Sequence, residues 1–64
     1  MYVKLLRNLP IAPEHGAVEG RVFPCIRYNE EGRVRKAWFM GDTGIECAAY
    51  LLMECEIQET KEDV

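Results

Sequence analysis

No run of apolar residues in this 64-residue chain approaches the roughly 18 that a membrane-spanning helix requires, so no membrane partner is expected. The opening Met1-Tyr2-Val3-Lys4-Leu5-Leu6-Arg7 also lacks the apolar core of a secretory signal. Cysteine is sparse and odd in number: Cys25, Cys47 and Cys55 contain no Cys-x-x-Cys pair. That pattern speaks against a disulfide framework and against a zinc ribbon, and it fits a reducing, cytoplasmic setting. Histidine occurs once, as His15 in a proline-rich stretch, with nothing in the sequence to bring it to a thiol as a Cys/His catalytic pair requires. Internal repeats and low-complexity segments are absent as well.

What remains is an ordinary globular composition, 48% hydrophobic and 30% charged. Length allows one domain, placed at residues 1–58, with 59–64 as a frayed acidic tail. A domain this small buries only about 60% of the surface of its unfolded chain, so its core is expected to be thin. Net charge is −3, unevenly spread. Residues 1–40 carry seven cationic side chains against four carboxylates, whereas residues 41–64 carry only Lys61 against seven.

Tyr2, Val3, Leu5 and Leu6 suggest a short opening strand. Pro10, Pro13 and Gly16 then prevent a regular helix and predict a long irregular loop, a usual place for binding residues. Val18, Val22, Phe23, Ile26 and Tyr28 read as a strand, and Pro24, which has no N–H for a ladder, predicts a bend within it. Asn29-Glu30-Glu31-Gly32 has the chemistry of a hairpin turn, followed by a returning strand over 33–40 that should be buried on both sides near Trp38 and Phe39. After the Gly41-Asp42-Thr43-Gly44 turn, the expectation is two short strands separated by one helical turn at 50–53. A helix across 45–55 is the alternative.

This order resembles the SH3-like small barrels: opening strand, long loop, two strands joined by a polar turn, a second tight hairpin, a helical turn and a closing strand. The segments that carry it are VEGRVF (18–23), WFMGDTGIEC (38–47) and YLLMECEI (50–57), so it covers nearly the whole chain. The implied fold is all-β, an SH3-like small barrel of about five strands with one short helical turn. In size, acidity and lack of a catalytic signature the chain is also similar to short accessory proteins of phages and prophages. That likeness implies a regulator or inhibitor that binds a host protein.

Asp42-Thr43-Gly44 matches the signature of aspartic proteases, but the apolar strand that should lead directly into the aspartate is interrupted by Gly41, and a turn is expected instead. Cys25, Cys47, Cys55 and His15 could nominally form a Cys₃His zinc site, yet their spacing favours buried thiols, so neither metal nor cofactor is expected. The binding candidates are Arg27, Tyr28, Arg33, Arg35, Lys36 and Trp38, cations interleaved with aromatic rings around one hairpin, next to the loop at 9–17. A non-enzymatic module that binds a protein through an aromatic anchor with an arginine rim is the primary expectation. Direct nucleic-acid binding by the hairpin at 27–36 is the alternative. The acidic set Glu54, Glu56, Glu59, Glu62 and Asp63 offers a second charged surface, and the apolar succession Tyr50, Leu51, Leu52, Met53 cannot all face inward, which suits a homodimer or a partner interface.

Overall fold

The computed structural model describes residues 1–61 and is all-β. Five strands, β1 (Tyr2–Leu5), β2 (Val22–Asn29), β3 (Lys36–Met40), β4 (Glu46–Tyr50) and β5 (Cys55–Gln58), form one antiparallel sheet in the order β4-β3-β2-β1-β5. β4 and β5 are its edges. Among the described residues no ladder joins them: one bridge links Leu51 to Cys55, and the Cys55 thiol donates to the Ala49 and Tyr50 carbonyls at 3.7 and 3.6 Å, so the sheet is not closed. Among the described residues no helix is long and apolar enough to cross a membrane.

β2 explains how one sheet wraps a core. Its first half pairs with β1, as in Val3 opposite Phe23, and its second half pairs with β3, as in Cys25 opposite Phe39. The changeover follows Pro24, the bend predicted from its missing N–H, and the register slips between Cys25 and Arg27 in a bulge at Ile26. Period-two alternation then sorts side chains: Val3 and Leu5 of β1, Phe23 of β2, Ala37 and Phe39 of β3, Cys47 and Ala49 of β4, and Cys55 of β5 point inward. The loop between β1 and β2 adds Leu9 and Ala17. Phe23 and Phe39 stack with centroids 4.7 Å apart.

Two expectations are corrected. The predicted helical turn at 50–53 is absent: β4 runs through Tyr50, and residues 52–54 form a turn in which the Glu54 N–H donates to the Tyr50 carbonyl at 2.9 Å. Pairing of residues 46–50 with β3 removes the longer helix over 45–55, and Leu52 at φ 72° keeps the following turn out of the right-handed helical region. The 3-10 turn lies instead at Pro13–His15, started by proline and ended by Gly16 at φ 73°. The returning strand also starts later than expected, at Lys36, and Trp38 faces out from it while Phe39 alone goes to the core. β5 ends at Gln58, with bends at 59–61. The rest of the expected acidic tail, Glu62, Asp63 and Val64, lies outside the described residues.

Candidate functional site

The protease-like triplet is a hairpin turn. Gly44 N–H donates to the Gly41 carbonyl at 3.0 Å and Gly41 N–H to the Ile45 carbonyl at 2.9 Å, with Gly44 at φ 82° supplying the left-handed residue that closes the β3–β4 hairpin. Both Asp42 carboxylate oxygens accept from the guanidinium fork of Arg21, at 3.0 and 2.9 Å. The Asp42 N–H donates to the His15 carbonyl at 2.9 Å, and Thr43 Oγ1 is hydrogen-bonded to His15 Nδ1. Arg21 in turn lies 4.7 Å from the centre of the Phe23 ring. Asp42 thus clasps the long β1–β2 loop to the hairpin. Its hydrogen bond to Arg21 holds the carboxyl below the usual aspartate range.

The six predicted binding residues divide into three groups. Arg27 and Trp38 face each other on the outer side of the sheet, with the guanidinium carbon 4.7 Å from the ring centre. Arg27 also donates to Glu46 at 2.6 Å, and Lys36 lies 5.1 Å from the Tyr50 ring. Those two cations are therefore engaged within the chain. Tyr28 pairs with Ala37 on the inner side, so it shares no surface with Trp38, contrary to the joint aromatic anchor expected. Arg33 and Arg35 lie on the β2–β3 loop, exposed, and among the described residues neither makes an ion pair or a side-chain hydrogen bond.

These two arginines meet a feature that the sequence only hinted at. The Leu51 N–H donates to the Arg35 carbonyl at 2.9 Å, tying the β2–β3 loop to the β4–β5 turn. Between them runs an open groove of about 370 Å³ lined by Glu30, Arg35, Leu51, Leu52 and Ile57. A shallower one of about 200 Å³ adds Arg33, Tyr50 and Met53. Leu52 is 76% exposed, Met53 65% and Val34 53%. Leu52 is also the one non-glycine residue among those described with positive φ, at 72°. A left-handed leucine costs about 1–2 kcal/mol relative to an ordinary conformation, and its exposure adds an apolar surface in water. Leu52→Gly is accordingly expected to stabilise the chain by about 1 kcal/mol, read as a raised urea midpoint with unchanged slope.

The acidic set does not form a row. Glu54 precedes β5, and its Oε1 accepts from the Tyr50 N–H at 3.0 Å, leaving Glu56 exposed on the strand. The thiols are structural in setting: Cys47 and Cys55 are buried and Cys25 half-buried. Burial, then the charge of Glu54, pushes Cys55 up to about 11, and burial raises Cys25 as well, so both are protonated at neutral pH. Among the described residues no three His, Cys, Asp or Glu side chains come together as a metal site. Two ion pairs among the described residues, Arg21 with Asp42 and Arg27 with Glu46, join the basic first part of the chain to its acidic second part, so folding partly cancels the charge asymmetry of the sequence. Compared with protein-family models, with curated proteins and with solved structures, the chain has no significant match.

Proposed function

We propose that this chain is a non-enzymatic interaction module that binds a protein through the end of the sheet where the β2–β3 loop meets the β4–β5 turn. The observation that carries this reading is Leu52, both exposed and held at positive φ. Glycine would suit that backbone and a polar side chain would suit that exposure. Strain of this kind concentrates where a surface is shaped for a ligand. Met53 lines the adjoining groove and extends the apolar centre, and the unengaged Arg33 and Arg35 supply the residue type enriched at binding hot spots.

The nucleic-acid alternative has less support. Of the four cations of the hairpin, Arg27 and Lys36 are occupied by Glu46, Trp38 and Tyr50, and Arg33 and Arg35 share their loop with Glu30 and Glu31. Phosphate binding needs an excess of available cations, which this mixture does not offer.

The test is capture by the tagged chain from a nuclease-treated lysate that also contains an untagged copy, comparing wild type with Leu52→Glu. The expected result is a protein retained in stoichiometric amount by wild type and lost by the variant. Retention that depends on nucleic acid, or that Leu52→Glu leaves intact, would sink the reading. Because Leu52 is exposed, the variant should remain folded, and its circular dichroism checks this.

A further inference from the structure

We infer that the protein seated on this end is a second copy of the same chain, related by a two-fold axis. The inference rests on the docking surface proposed above and names its occupant. Charge carries it. Glu30 and Arg35 line the same groove, and Glu31 and Arg33 stand on the same loop. Among the described residues none of these four side chains forms an ion pair or a hydrogen bond; Glu31 donates only its backbone N–H, to Asn29 Oδ1 at 3.1 Å. The rim of the two adjoining grooves thus carries one unpaired anion, Glu30, and two unpaired cations, Arg33 and Arg35, around the apolar Leu51, Leu52 and Met53.

A strongly basic partner would be repelled by the two arginines, and a strongly acidic one by Glu30. A copy rotated by two-fold symmetry presents the same charges in reversed order, so that Glu30 of each chain faces Arg35 of the other, as a self-complementary interface requires. The apolar centre meets its own kind across the axis. The core gives a second reason. Its largest fully buried side chains are Phe39, Leu5, Val3 and Cys55, and Ala37 and Ala49 fill the inward positions nearest this end of β3 and β4. Small domains with thin cores gain stability by oligomerisation, and covering Leu52 and Met53 supplies the missing apolar burial.

Sedimentation of the full chain tests this with two single variants, Arg35→Glu and Glu30→Arg, measured separately and mixed in equal amounts. Wild type is expected to dimerise. Each variant alone should self-associate about tenfold more weakly or worse, because both symmetry-related contacts then oppose like charges. Mixing them should restore association, since the heterodimer again sets an anion against a cation at both contacts. A wild type that stays monomeric at every concentration, variants that dimerise like wild type, or a mixture that fails to recover would each overturn the inference. A monomeric wild type whose captured protein is lost on Leu52→Glu would leave the docking surface standing with a different occupant. Capture untouched by Leu52→Glu would instead remove the surface itself.

Discussion

Phe39→Ala is expected to leave the chain largely unfolded at room temperature, whereas Trp38→Ala, one residue away, is expected to leave it folded. Phe39 is fully buried, is inward-facing on the interior strand β3 and is stacked on Phe23. Removing such a ring costs about 3–5 kcal/mol from lost transfer energy and the cavity left behind. A domain of this size has a total stability of only about 3–10 kcal/mol. The core has little means of relaxing, because its neighbours Ala37, Cys47 and Ala49 are small and strand-bound. Trp38 is half-buried on the opposite side, covered by Arg27, so its truncation gives up that contact and part of the ring's burial but opens no enclosed cavity in the core, and it costs less than Phe39→Ala. Circular dichroism and urea titration of both variants separate the two. Similar losses for Trp38 and Phe39 would mean that the facing of β3 is wrong.

That contrast also shows what could be read from the sequence. Strand number and all-β class followed from β-branched and aromatic runs bounded by turn residues, and Pro24 marked the bend because a proline leaves no alternative within a ladder. Trp38 was misplaced for a physical reason. The amphipathic indole beside a cation satisfies an outer face as well as a core, and the Arg27 that covers it comes from another strand across a bulge. The same bulge put Tyr28 on the inner side, since one extra residue reverses every side chain that follows. The 50–53 segment was read as helical because propensity there is local, while the pairing that holds Tyr50 on β3 and the left-handed backbone of Leu52 are set by the fold. The candidate site was half legible: Arg33, Arg35 and the apolar succession at 50–53 were visible separately. What joins them, the hydrogen bond from Leu51 to Arg35 and the positive φ of Leu52, is tertiary and leaves no pattern in the chain.

The second large effect is expected at Gly16, where Gly16→Ala should release the clasp between loop and hairpin. Gly16 ends the 3-10 turn at φ 73°, a conformation that costs a residue with a Cβ about 1–2 kcal/mol. A Cβ there would also stand 2.0 Å from Asp42 Oδ2 and 2.6 Å from Arg21 Nη1, so the carboxylate and the guanidinium must move away and their two-pronged pairing is lost. The variant should unfold at lower urea than wild type, and amide exchange should rise at Asp42, whose N–H is held by the His15 carbonyl. Acid provides an independent reading of the same contact. Arg21 lowers the Asp42 pKa, so the stability their pairing contributes is complete above the unfolded aspartate range and disappears as pH falls through the lowered folded value. Asp42→Asn removes that dependence, and Gly16→Ala should remove it too, because the pair is already apart. If Gly16→Ala destabilised the chain yet kept the acid sensitivity of wild type, the clasp would have survived the substitution, and the loss would belong to backbone strain alone.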